Sequence, residues 1–356
     1  MCIRDSNIEI DEVTADEVTI TTTGDITEAV TDVSTNITAN VLAMETTGPG
    51  AIVGDSTSEA SFLDIDIDGA VSIRSGTPGI FVRNAGVPYP QCSGLNPTVI
   101  FGPASALTTQ GEVIVGTSGP DTIDALGGDD TICGLGGLDT ISGGPGDDTI
   151  IGGGGNDILN SNAGNDTLTG GANTDTLNGG DDDDTLRGQS GPDILNGGDG
   201  DDDLFGGAGN DDLFGGDGDD DLRGQGGDDT LMGEAGIDQF FAGSGQDEIH
   251  TGDGGNAGTG QIVQGQSGAD LIFGSPQDDI LDGGLGQDEI HGGAGDDILN
   301  GGRSGDDLFG EDGNDQLFGG PDRDTLDGGA GTDDCNVGGA TNDTATATCE
   351  TTTLVP

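Results

Sequence analysis

The residues with chemistry to offer are aspartates, and they recur at one interval. Every ninth residue is Asp at Asp121, Asp130, Asp139, Asp148, Asp157, Asp166, Asp175, Asp184, Asp193, Asp202, Asp211, Asp220, Asp229, Asp238 and Asp247. After a wider step the frame resumes at Asp270, Asp279, Asp288, Asp297, Asp306, Asp315, Asp324 and Asp333. Carboxylates stacked at this density repel one another, and the chain carries no matching cations: 7 Lys and Arg stand against 68 Asp and Glu, a formal charge of −61. The counter-charge must come from outside. A cage of carboxylates and turn carbonyls is all oxygen, which suits a hard ion that takes about six to eight ligands, Ca²⁺ ahead of Zn²⁺ or Cu²⁺.

Something must hold these acids in register. Two residues after each Asp sits an apolar side chain: Ile123, Ile132, Ile141, Ile150, Leu159, Leu168, Leu177, Leu186, Leu195, Leu204, Leu213, Leu222, Leu231, Phe240 and Ile249. The series continues with Ile272, Leu281, Ile290, Leu299, Leu308, Leu317 and Leu326 and closes on Cys335. The unit reads G-G-x-G-x-D-x-U-x, with U a large apolar residue, which is a known nonapeptide signature of calcium-binding parallel β-helices.

The units "GGPGDDTII" (143–151), "GGGGNDILN" (152–160) and "GGAGDDILN" (292–300) resemble the RTX, or haemolysin-type calcium-binding, repeat family. The resemblance spans about 116–336, some 60% of the chain. It implies a parallel β-roll with calcium in the turns, the frame aspartates as chelators and turn carbonyls completing each site. It also implies secretion through a bacterial type I system, with the chain unfolded in a calcium-poor cytoplasm and folding outside. The fold expected is therefore all-β: a β-roll preceded by an irregular β-helix-like region.

The physical logic supports that expectation. The triplet x-U-x makes a short strand with one side chain inward, and the Gly- and Asp-rich residues turn the chain. Two units form a flattened coil of 18 residues, so Asp193 and Asp211 fall in register on one edge. Coils stack at about 4.8 Å. One ion per pair of aspartates 18 apart gives thirteen ions in the first run and six in the second, about nineteen in all, which would reduce −61 to −23. One Leu or Ile per nine residues is a thin core, so ion binding and folding should be one event and the ion-free chain disordered.

Composition sets further bounds. Direct binding of nucleic acid or anionic lipid is disfavoured by charge. No run approaches the roughly 20 apolar residues that would cross a membrane. The opening "MCIRDSNIEIDEV" lacks the basic-then-apolar order of a secretory leader, which fits the type I route. "MCIRDS" also resembles a translated sequencing-adapter remnant, so Cys2 and Arg4 carry no weight. Of the 5 cysteines, Cys335 and Cys349 are close enough to staple a C-terminal cap, and Cys92 and Cys133 read as ordinary thiols.

Three segments follow: an irregular all-β region at 1–115, the roll at 116–336 and a cap or short secretion segment at 337–356. In the first, "EVTITTTGDI", "NITANVLAMETT" and "FLDIDIDGAVSIRS" alternate apolar with polar residues. "GPGAIV" (48–53) and "TPGIFV" (77–82) read as matching corners of stacked coils, with a small β-sandwich as the other reading. The Pro-containing stretch 86–107, with Tyr89, reads as a loop. Inside the roll, Asp247 to Asp270 spans 23 residues, one degenerate unit plus five inserted residues near 251–264, with Val263 inward. Two residues before the frame Asp, where Gly is usual, stand Asn173, Asp182, Gln277, Ser304 and Asp322; Gln277 and Ser304 mark weak turns, and Gly305 suggests a shifted glycine.

No catalytic signature occurs. His250 and His291 point outward and lie too far apart to share zinc. Phe205, Arg223 and Phe241 should stack on one face, Phe214, Met232 and His250 on the other, with Phe309 and Phe318 further along, either covering the strands or forming a self-association stripe. The chain thus reads as a secreted, extracellular calcium-binding structural or adhesive protein in contact with its own kind or a cell surface. The alternative is an accessory module of a secreted protease, lipase or polysaccharide-modifying enzyme.

Overall fold

The computed structural model describes five backbone strands within residues 2–75, and residues 111, 113–116, 119–252, 260–339, 344–346 and 348–354. Every element among them is a β-strand, and among the described residues no helix is long and apolar enough to cross a membrane. The chain divides into two compact units, Met1–Asn162 and Ala163–Pro356.

In the first unit, Val13–Thr22 pairs with Cys2–Arg4 and with Ile37–Thr46, and the latter pairs with Ile65–Ile67 and Val71–Ser75. All of these pairings are parallel. Hairpin-linked strands of a sandwich would run antiparallel, so the pairing favours stacked coils over the sandwich. The corners at 48–53 and 77–82 and the stretch holding Tyr89 lie outside the described residues. The same unit contains the first repeats, Val113–Val115, Thr131–Gly136 and Thr149–Gly154 in one ladder and Thr122–Asp124 beside Thr140–Pro145 in another.

The second unit contains two parallel ladders. One runs from Thr167–Ala172 to Cys349–Leu354 and the other from Thr176–Asp181 to Thr344–Ala345, and successive repeats alternate between them. Leu186 pairs with Leu204 and Leu204 with Leu222 in one, Leu195 with Leu213 in the other. This is the 18-residue coil of a β-roll.

Strands run longer than the expected triplet. Asp212–Asp217, for example, spans six residues. Its inward face includes Leu213 and Gly215, and Asp211 just before it is buried as well. Gly206 is crowded by its neighbour: a Cβ added there would lie 2.5 Å from Asp211 Oδ2. The missing side chain makes room for the next unit's carboxylate. The apolar series from Ile132 to Leu326 is wholly buried, with Cys335 at its end and Val263 in its expected place after the insertion. Val263 pairs with Phe240 and Leu281, so the chain rejoins the frame.

The turns place their strain where the repeat pattern did not point. The residue four before the frame Asp takes positive φ even where it is not glycine, at Leu126, Leu135, Asn162, Gln189, Gln225, Glu234, Gln266 and Glu311. Of the five substituted positions two before the Asp, Asn173, Asp182 and Ser304 also adopt positive φ. Ser304 takes φ 93° itself, so no glycine shift to Gly305 occurs.

At the C-terminal end Cys335 and Cys349 form a disulfide, with Cα atoms 5.7 Å apart. It ties Cys349–Leu354 to Asp333–Gly338, the neighbouring strand. Thr346 and Thr348 hydroxyls donate to Asp327 Oδ1 at 2.8 and 2.6 Å.

A left-handed non-glycine residue costs about 1–2 kcal/mol, part of which glycine returns as chain entropy. Gln225 has φ 79° and an exposed side chain. Gln225→Gly should therefore stabilise the roll by about 0.5–1 kcal/mol, read as a higher thermal midpoint at fixed calcium concentration.

Candidate metal centre

The frame aspartates from Asp130 to Asp324 end their turns and point inward just before a strand, and Asp333 is the first residue of its strand. All of them from Asp130 to Asp333 are buried to within 3%; Asp121, at the start of the series, is half-buried. Their first carboxylate oxygen has a fixed job. The backbone N–H of Asp193 donates to Asp211 Oδ1 at 2.9 Å, that of Asp211 to Asp229 Oδ1 at 2.9 Å, and that of Asp202 to Asp220 Oδ1 at 2.8 Å. The pattern crosses the insertion, where Asp247 N–H donates to Asp270 Oδ1 at 3.0 Å. Aspartates one coil apart are thus brought together as their spacing predicted.

In fourteen of these aspartates the second oxygen has no such partner. In Asp139, Asp184, Asp193, Asp202, Asp211, Asp220, Asp229, Asp238, Asp247, Asp270, Asp288, Asp297, Asp306 and Asp315, Oδ2 is buried without a hydrogen bond. A buried acceptor left unsatisfied costs about 1–3 kcal/mol, and more if charged. Fourteen of them would consume the whole net stability of a typical domain, about 5–15 kcal/mol. The fold therefore demands either protons or cations at these oxygens.

Burial pushes the carboxyls up from the ordinary 3.8, against the opposing pull of the backbone N–H bonds. Asp184 and Asp220 rise to about 8. Asp193, Asp202, Asp229, Asp270, Asp297 and Asp306 rise to about 7. Asp211, Asp238, Asp247, Asp288 and Asp315 rise to about 6. For Asp193, the charges of Asp175 and Asp211 along the same edge add to the effect of burial.

A cation fits the site. All but one of the orphan oxygens lie beside glycines whose absent side chains leave the space open, Ala242 before Asp247 being the exception: a Cβ at Gly292 would lie 2.6 Å from Asp297 Oδ2 and 2.7 Å from the Gly310 carbonyl oxygen. Among the described residues, no group of three or more His, Cys, Asp or Glu side chains gathers at one point. A cage here would take its remaining ligands from backbone carbonyls, as hard divalent ions accept.

Two features escaped the sequence reading. The residue just before the frame Asp builds a second, exposed ladder: Asp201 N–H donates to Asp183 Oδ1 at 3.1 Å and Asp219 N–H to Asp201 Oδ1 at 2.9 Å. Its signal was the recurrent Asp or Asn at that place. The other feature is Gln261, which is fully buried in the position a frame Asp would fill after the insertion.

Outside the turns, the expected stacks form. Arg223 sits over Phe205 and Phe241, at 5.0 and 5.3 Å from the ring centroids. Phe214, Met232 and His250 share register, and Phe273 stacks between His250 and His291 at 4.8 and 5.1 Å. The intervening ring keeps the two histidines from sharing a metal. Cys133 is a correction: it is fully buried and disulfide-bonded, to a partner outside the described residues. Alternation along the strand assigns this position to the outside, yet it is buried.

These features define a class, the parallel β-roll with oxygen-lined turns. The chain matches the RTX calcium-binding nonapeptide repeat family in ten segments, from 108–141 to 309–345. It belongs to that family, and its roll is a structural calcium-binding domain. No curated protein matches the chain.

Two outcomes follow from the orphan oxygens. Raised pKa values mean that the ion-free folded form holds more protons than the unfolded chain between about pH 4 and 8, so its stability rises as pH falls through that window. Chelated protein should gain β-sheet circular dichroism on going from about pH 8 to 5.5, while calcium affinity falls because protons compete. Gly206→Ala should place a methyl group against Asp211 Oδ2 and lower the number of bound calcium ions in equilibrium dialysis.

Proposed function

We propose that this is a secreted structural or adhesive protein whose roll is assembled by calcium outside the cell. The frame aspartates from Asp121 to Asp333, Asp279 excepted, are the chelating side chains, and residues 337–356 cap the stack. The observation that carries this reading is the row of buried Oδ2 atoms with no donor, which calcium would neutralise and bridge. Because calcium would bind the folded form and not the extended chain, its binding energy is folding energy.

Charge and cysteine chemistry support the location. The Cys335–Cys349 disulfide and the cross-linked Cys133 belong to an oxidising compartment. A chain of formal charge −61 also stays unfolded where calcium is scarce and compacts where it is plentiful. Export in the unfolded state would use that difference, with a type I system as the route.

The test is a calcium titration of the chelated full chain at neutral pH, followed by far-UV circular dichroism and hydrodynamic radius. The chelated chain should lack sheet signal and be expanded, and calcium should restore both together. Spectra unchanged by chelation would overturn the reading. Asp211→Ala should weaken binding at its own coil and leave the rest of the stack able to fold.

A further inference from the structure

The edge of the roll that carries Asp220, Asp238, Asp279 and Asp297 is interrupted by two rungs that close on the chain's own donors. At the first, Gln261 replaces the frame Asp. Its Oε1 accepts from the Asp238 N–H, as Oδ1 does elsewhere, and its Nε2 donates to the Gly236 carbonyl at 2.8 Å. The orientation of the amide is forced, because an N–H can face only the oxygen and a carbonyl only the nitrogen. A neutral NH₂ group, itself a donor, is therefore the counterpart of the orphan Oδ2 at other rungs. It cannot ligate a cation.

At the second rung, Asp279 keeps its carboxylate but not the vacancy beside it. The Ser275 N–H donates to Asp279 Oδ2 at 2.6 Å, and the Ser275 hydroxyl donates to Oδ1 at 3.1 Å. The cause is local. Pro276 follows Ser275 and steers it toward extended backbone. Among the described residues four before a frame Asp, Ser275 alone lacks positive φ. Its amide is thereby available to the carboxylate that stands open in neighbouring coils. The two rungs are consecutive, since Gln261 N–H donates to Asp279 Oδ1 at 2.7 Å. On the opposite edge Asp247, Asp270 and Asp288 continue with orphan Oδ2 atoms.

We propose that the Gln261 and Asp279 rungs hold no calcium, so that one edge of the roll binds its ions in two separate blocks joined by a metal-independent closure. The residues there do not fit the ion that the rest of the edge requires. The closure sits where the chain returns from the insertion, at the point where register must be regained. This inference rests on the calcium reading of the other rungs.

Native mass spectrometry of the full chain in calcium tests it by counting bound ions. Asp220→Asn should lower the count relative to wild type, Asp279→Asn should leave it unchanged, and Gln261→Asp should raise it by about one. Gln261→Asp installs the residue that the rest of the frame carries, so that arm decides even if Asp279→Asn disturbs its turn. Loss of an ion in a folded Asp279→Asn variant, or no gain in Gln261→Asp, overturns the proposal while leaving calcium binding intact. A wild-type chain that binds no calcium, with Asp220→Asn equally silent, would instead remove the calcium reading and this inference with it.

Discussion

A carboxylate oxygen sealed inside a turn with nothing to bond is the constraint around which this roll is organised. It explains the glycine that stands five residues before most frame aspartates, whose absent side chain keeps the space open, as at Gly206 beside Asp211; Ala125, Ser161 and Ala242 are the departures. It explains why the apolar interior can be so sparse. One buried Leu or Ile per unit offsets only a fraction of the entropy of ordering nine residues. The stack cannot rely on oil for its stability and relies on neutralised acids instead. On the proposed reading, protons and divalent cations compete for the same oxygens, which would couple fold, pH and ion concentration through one set of atoms.

The strained turns fit the same account. A left-handed residue four before the Asp recurs even where the side chain is Leu126, Gln225 or Glu234. A repeat that pays this cost so often must be held by interactions absent from the isolated turn. Stacking supplies them, since each coil is bonded to the coils on both sides, and the ladder pins the turn whatever its sequence. The Cys335–Cys349 disulfide adds a covalent link between two strands that already pair, Asp333–Gly338 and Cys349–Leu354.

Much of this was legible in the sequence because it is periodic. The Asp frame, the inward apolar series, the pairing of residues 18 apart, the place of Val263 and the Arg223 stack all follow from counting in nines. Single departures were harder to read. Gln261 is obscured because the insertion shifts the frame, and Ser275 looks like any polar turn residue until Pro276 is seen to fix its backbone. Cys133 was misread for a related reason: alternation assigns it outward, and nothing in the repeat pattern around it marks a cross-link. The left-handed position four before the Asp was missed because glycine is common at both turn positions, so composition did not separate them.

The hydrogen bonds of the turn run in two directions, and that makes the stack cooperative. Asp202 N–H donates forward to Asp220 Oδ1, while the preceding Asp201 N–H donates back to Asp183 Oδ1. Two consecutive amides of one turn are therefore held by the coil after and the coil before. A coil placed correctly against one neighbour satisfies one amide and presents the other in position for the next. With both amides and both Oδ1 atoms committed, Oδ2 is the acceptor left for an external partner at the ordinary rungs. The same geometry gives Gln261 its meaning, because near-identical units could pair out of register by a whole coil without penalty. A rung closed by an amide above and a seryl–prolyl turn below has a single correct partner, so the break in the ion ladder also fixes the alignment of the coils around it.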